Sequence, residues 1–190
     1  MYDKNLLNTI GHVSQSLFST DFFGVFHGSI SAKISESGFI INKKDTILDD
    51  IHKDSLVKLD TLKRDYRWKL ASGDVDIHEH IYENISSAKY ITFTMPPYIT
   101  ALSIKHSKII PKDYYGVKLL GNQRIYDPKN FDDWLLRAPF EIPQFFKAHD
   151  THIMIIKGFG VIAYDRDLIE MVKKIAILEN SCKLLSISNL

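Results

Sequence analysis

The amino-acid sequence predicts a single α/β domain in which helices pack on a largely antiparallel sheet. Three observations lead to this. Short apolar runs face each other across glycine turns, at Ser37-Gly38 and again at Gly158-Phe159-Gly160, which is the spacing of hairpins and so of antiparallel strands. Apolar stripes at helical spacing stand at both ends of the chain and between the strand runs. No repeat, low-complexity tract or linker divides the 190 residues. That length suits one domain, so residues 1–190 are read as one unit.

Taken in order, Leu6, Ile10, Val13 and Leu17 recur at helical spacing, which predicts an amphipathic helix from about Asp3 to Ser19. Asp21 to Gly28 is aromatic-rich and holds two glycines, a turn into the first strand. Ser29 to Ser35 alternates small polar with apolar residues and reads as that strand; Phe39-Ile40-Ile41 is its hairpin partner. Lys43 to Asp50 is a polar turn, Ser55 to Asp60 a third strand, and Lys63 to Gly73 an excursion. Val75, His78, Ile81 and Tyr82 predict a helix capped by Asp74 or a neighbour. Tyr90 to Met95 is a strand stopped by Pro96-Pro97, and Ile99 to His106 a short helix. Pro111 to Asp127 is expected to be irregular with one short strand. Phe131 to Ala148, with two prolines, is expected to form short broken helices. His152–Lys157 and Val161–Tyr164 form the late hairpin. Leu168, Met171, Val172, Ile175, Leu178, Cys182 and Leu185 stripe a long C-terminal helix.

Apolar residues make up 45% of the chain and charged residues 25%, and the formal net charge is +1. This balance gives no electrostatic case for nucleic acid. The one basic run, Lys63-Arg64 with Arg67 and Lys69, is interrupted by Asp60 and Asp65. The single cysteine, Cys182, cannot form an internal disulfide and sits in an apolar stripe, so a buried, inert thiol is expected. The N-terminus lacks the basic patch and apolar core of a signal peptide, and no apolar run reaches the roughly 20 residues that span a bilayer. A cytoplasmic location without membrane contact is the expectation.

Histidines offer little. His78 and His80 are two apart and point to different faces of a helix. His149, Asp150 and His152 cluster before a strand but lack the spacing of a zinc site, and His27 and His106 stand alone. The sequence contains no nucleophile elbow, phosphate-binding P-loop or dinucleotide fingerprint.

Five segments carry a resemblance. Gly28-Ser29-Ile30-Ser31-Ala32-Lys33 resembles a Gly-Asn-x-Ser-x-Arg signature. Phe39 to Lys44 occupies the place of an Ile-Thr-Pro-Ser-Gly turn. Ser72-Gly73-Asp74, then His78 and Tyr82, resembles Ser-Ser-Glu followed by His and Tyr at four-residue steps. Phe93-Thr94-Met95-Pro96-Pro97-Tyr98 resembles a His-x-His-Pro-Pro-Tyr junction, and Lys157 to Val161 resembles an Asn-His-Gly-Val hairpin. In this order they resemble the class II aldolase/adducin family over nearly the whole chain. The resemblance implies a three-layer αβα fold with a central, mostly antiparallel sheet. It also implies self-association, often as a four-fold tetramer, and a sugar-phosphate site where three histidines hold a divalent metal.

Mapped by this resemblance, the metal-ligand positions are Phe93, Met95 and Phe159. Phenyl rings donate nothing to zinc, and a lone thioether is a poor ligand for it, so no metal and no other cofactor is expected. Asp74 stands at the place of the catalytic glutamate, one methylene shorter. It is a candidate acid/base group as well as a candidate helix cap. Tyr115 resembles a proton-donating tyrosine, with a packing or interface role as the alternative. Gly28, Ser29, Asn42, Lys43, Ser72 and Gly73 occupy the phosphate cradle, where amides and hydroxyls suit an oxyanion. Two functions follow: a non-catalytic assembly or anion-binding module, or a metal-independent lyase, epimerase or dehydratase acting on a small phosphorylated sugar.

Overall fold

A computed structural model describes residues 4–25 and 27–188. Eight strands form one sheet: β1 (Ser29–Lys33), β2 (Gly38–Asn42), β3 (Leu56–Asp60), β4 (Tyr90–Thr94), β5 (Lys108–Ile109), β6 (Gln123–Tyr126), β7 (Ile153–Ile156) and β8 (Gly160–Asp165). Their order is β3-β2-β1-β4-β8-β7-β6-β5. Every neighbouring pair is antiparallel except β6 with β7. Among the described residues five α-helices cover it: α1 (Lys4–Ser19), α2 (Val75–Asn84), α3 (Pro97–Lys105), α4 (Trp134–His149) and α5 (Leu168–Ser188).

The three layers follow from side-chain alternation. Ile30, Ala32, Ile40, Ile153, Ile155, Val161 and Ala163 join one core with residues of α1, α3 and α5. Their alternates Phe39, Ile41, Ile91, Phe93, Met154, Ile156 and Ile162 join the other with α2 and α4. Strands covered on both faces read as continuous apolar runs, which explains Phe39-Ile40-Ile41 and Ile153 to Ile156. At the open edge, β3 turns Lys58 to solvent, a charge that discourages pairing with another strand.

The hairpins, the C-terminal helix and α1 stand where the periodicity predicts; Asp3, in the expected first helix, lies outside the described residues, as does Phe26 in the aromatic turn. Pro111 to Asp127 holds one π-helical turn, Gly116–Leu120, closed by Gly121 N–H donating to the Gly116 carbonyl at 3.0 Å, and then β6.

The expectation of broken helices at 131–148 is wrong. Helix α4 runs unbroken through Pro139 and Pro143. Each proline removes one intrahelical N–H, at a cost of about 3 kcal/mol. The same helix buries Trp134, Ala138, Ile142, Phe145 and Phe146 beside both prolines. Burial of two or three such side chains offsets that cost.

Candidate functional site

A cavity of about 310 Å³ opens where the ends of β1, β2 and β4 meet the β7–β8 turn and the N-terminus of α2. It is lined by His27, Gly28, Asn42, Lys44, Thr46, Ser72, Gly73, Asp74, Phe93, Met95, Leu135, Gly158 and Phe159. A larger groove of about 690 Å³ lies between α1 and residues 49–53, but it gathers none of the residues that the motifs single out.

Two glycines let the strands come together here. Gly28 has φ +121°, and a Cβ on it would lie 2.5 Å from the Phe23 ring. Gly160 has φ +142°, and a Cβ there would lie 2.5 Å from the Thr94 carbonyl oxygen and 2.8 Å from the Phe93 ring. Both positions therefore need glycine. Through them β1 and β8 flank β4, with Ser29 opposite Phe93 and Val161 opposite Thr94.

The polar wall is held in place by backbone pairing. Segment 71–73 pairs with the end of β2 by a bridge between Lys43 and Ala71, and Ser72 N–H donates to the Asn42 carbonyl at 2.9 Å. Asn42 is buried, and its Oδ1 accepts from Ile30 N–H at 2.9 Å, which turns Nδ2 away; that amide has one long contact, 3.4 Å to the Lys43 carbonyl. Among the described residues the Gly73 N–H has no acceptor, and a Cβ on Gly73 would meet nothing within 4 Å.

The apolar wall stands opposite. Phe93 and Phe159 stack with centroids 4.9 Å apart and planes at 29°. Trp134 meets Phe159 edge-on at 6.3 Å. Met95 and Phe159 are part-exposed, while Phe93 is buried. The positions that the resemblance gives to metal ligands are thus brought together, but as two rings and a thioether. This chemistry does not fit a divalent cation. Among the described residues no three His, Cys, Asp or Glu side chains are grouped to hold one.

Asp74 sits between the walls. It occupies the N-cap position of α2, but its carboxylate caps nothing. Instead Oδ2 accepts from the Ser29 hydroxyl at 2.8 Å. Burial pushes its carboxyl above the ordinary range, and the Ser29 bond offsets part of that. Behind Ser29 a chain continues inward: Ser29 Oγ to His78 Nε2 at 2.8 Å, His78 Nδ1 to Ser31 Oγ at 2.7 Å, and Ser31 Oγ to the Tyr82 hydroxyl at 2.7 Å. Burial pushes His78 down to about 3 and raises Tyr82, so both are neutral at ordinary pH. Ser29 has one proton to give. With Asp74 ionised, that proton goes to the carboxylate, and the Ser29 oxygen accepts from Nε2–H. Nδ1 then accepts from Ser31, whose oxygen accepts from Tyr82.

Of the residues singled out from sequence, Gly28, Asn42, Ser72, Gly73, Asp74, Phe93, Met95 and Phe159 line this cavity, with Ser29 directly behind it. Lys43 does not line it; Lys44 does. Tyr115 is exposed, lies outside the lining and meets Tyr114 edge-on at 5.3 Å. The site residues chosen from sequence did not include His27, Lys44, Thr46, Leu135 and Gly158: Lys44 and Gly158 lie within the motif segments, His27 and Thr46 close beside them, and Leu135 far from any of them in the chain. His149 and His152 take different partners: His149 meets the Phe145 ring edge-on at 4.5 Å, and His152 bonds Asp165 at 3.2 Å. Cys182 is buried, with its thiol pushed up to about 12 by desolvation first, then by Glu179 and Asp113. No helix among the described residues is long and apolar enough to cross a membrane.

This fold, with its cavity at the β4 and β7–β8 junction, defines a class. Residues 8–186 match the Class II Aldolase and Adducin N-terminal domain, and the chain belongs to that family. It is similar to the crystal structure of L-fuculose-1-phosphate aldolase from Thermus thermophilus, with 20% identity, a TM-score of 0.86 and coverage of 98% of this chain and 95% of that one. YgbL from Escherichia coli is also similar, at 20% identity and TM-score 0.78 over 96% and 89% of the two chains. So is a sugar-phosphate aldolase from Thermotoga maritima, at 13% identity and TM-score 0.70 over 96% and 94%. At these identities the likeness establishes the fold alone. No curated protein matches the sequence at comparable significance.

Proposed function

We propose that this chain is a family member that binds a small phosphorylated anion in the cavity without a metal centre, as a ligand-binding and self-assembling module. The observation that carries this reading is the stacked Phe93–Phe159 pair with Met95 at the place of the metal ligands. Desolvation makes such a wall hostile to a bare divalent ion. The facing wall supplies what an oxyanion needs: the Gly73 N–H, the Asn42 amide, the Ser72 hydroxyl and the Lys44 ammonium. Leu135, which lines the cavity, is exposed, as are Leu136 and Phe140 on the same helix, and this apolar surface supports burial of α4 in an oligomer.

Millimolar inorganic phosphate should raise the melting temperature of the purified chain, since binding to the native state alone stabilises it. Gly73→Ala should melt within about 1 °C of wild type, because the added methyl meets nothing, yet show a smaller phosphate shift. Absence of any shift across the accessible range of phosphate concentration would remove the cradle from this reading. Stoichiometric zinc that stabilises the protein and is lost to a chelator would remove its metal-free part. Light scattering of the eluted protein tests assembly, and a monomer at high concentration argues against it.

A second reading is favoured by one observation. Asp74 is a carboxyl of raised pKa facing a cavity, which is the form of a general acid or base. In that reading the chain is a metal-independent lyase, epimerase or dehydratase. Turnover that survives chelation and is abolished in Asp74→Asn distinguishes it from the binding module.

A further inference from the structure

The two walls of the cavity differ in kind, and the difference bears on the body of the ligand rather than its charged end. Phe93, Met95 and Phe159 form one continuous surface, extended toward solvent by Leu135, which is 59% exposed. Apolar side chains that keep exposed surface inside a concavity hold water in an unfavourable position, and an apolar ligand group displaces it. A polyhydroxylated body pressed against them would give up hydration and find no donor or acceptor in return. The rings cannot retreat to close the space. Trp134, 1% exposed, backs Phe159, and the Gly160 backbone backs Phe93.

We propose that the ligand of this cavity is a phosphomonoester with a compact apolar body, aromatic or aliphatic, and not a polyhydroxylated chain. This rests on the reading that the polar wall seats an anion. The volume, about 310 Å³, is at the small end of ligand pockets and suits one ring or a short branched chain beside a phosphoryl group. The phosphoryl end lies toward Gly73, Asn42 and Lys44, and the apolar body lies on the Phe159 and Met95 side.

Titration calorimetry of the full chain with phenyl phosphate, glycerol 3-phosphate and inorganic phosphate tests this. Phenyl phosphate should bind at least tenfold more tightly than either of the others. Phe159→Ser and, separately, Met95→Gln should each cut that preference severalfold while inorganic phosphate affinity stays within about twofold. Two variants are used so that a folding defect in one leaves the other informative. Equal or tighter binding of glycerol 3-phosphate overturns the apolar body but leaves the anion seat standing. A preference for phenyl phosphate that neither variant reduces overturns the assignment to this wall. Failure of all three phosphates to bind overturns the anion seat itself.

Discussion

Asp74, Ser29 and His78 show how one buried residue sets the behaviour of another. The Asp74 carboxyl is raised by burial, so the folded protein favours its protonated form. The linkage has a definite sign. This contribution to stability is present below the ordinary carboxylate pKa and is lost as pH rises through the higher folded value. Asp74→Asn cannot ionise, so it should be more stable than wild type at pH 7 and show no such gain near pH 3. Chemical denaturation at the two pH values checks it, and a gain confined to pH 3 would contradict it. Ser29→Ala removes the hydroxyl that supports the carboxylate, so the Asp74 pKa should rise further in a carbon-detected NMR titration. His78→Phe leaves the Ser29 and Ser31 hydroxyls without their ring partner in a dry interior. It should cost about 2–3 kcal/mol in urea unfolding.

At the scale of the element, helix ends carry the informative chemistry. Helix α3 begins at Pro96-Pro97 with no side-chain cap of its own. Its first two free amides, of Tyr98 and Ile99, donate instead to the two carboxylate oxygens of Glu179 on α5, at 2.9 and 2.8 Å. One carboxylate thus satisfies both orphan donors and joins two helices 80 residues apart in the chain. Glu179→Ala should destabilise by about 2–3 kcal/mol, and Glu179→Gln, which keeps one acceptor, by less. Equal losses in the two variants would mean that a single acceptor contributes nothing and both carboxylate oxygens are required, whereas a loss confined to Glu179→Ala, with Glu179→Gln unchanged, would mean that packing, not capping, is the role of this side chain. Helix α4 makes the complementary point. Its prolines forecast breaks from local geometry alone, and the burial of Trp134, Ile142 and Phe146 against the sheet overrode them.

Across the whole molecule, two cores clamp one sheet, and a charged cluster fastens the outer layer to it. Lys174 of α5 donates to Asp165 at the end of β8 at 2.6 Å, and His152, leading into β7, meets the same oxygen at 3.2 Å. Burial pushes the Asp165 carboxyl up, but these partners outweigh it and hold it at about 2. A depressed folded pKa gives stability that is present above the ordinary value and lost as pH falls toward about 2. The stabilisation from this carboxylate is roughly 2 kcal/mol. Stability should therefore decline between about pH 4 and 2, and Lys174→Met should flatten that part of the profile. An unchanged acid limb in the variant would assign the decline to other carboxylates.

The sequence by itself determined the alternation that buries both faces of the sheet, the hairpin turns, the stripe of α5 and the apolar character of positions 93, 95 and 159. These are local properties, written in periods of two and 3.6 residues and in side-chain type. It also placed Asp74, His78 and Tyr82 at four-residue steps, on one face of α2. That Ser29 and Ser31 stand opposite them was settled only by the packing of α2 on β1, through contacts between residues 45 to 51 apart in the chain. The same holds for Lys44 lining the cavity in place of Lys43, for the exposed setting of Tyr115 outside it, and for a helix that continues through two prolines. Periodicity says which face of an element is buried. Which partner it is buried against depends on surfaces brought together from distant parts of the chain, and their packing energy exceeds the local preferences that a sequence displays.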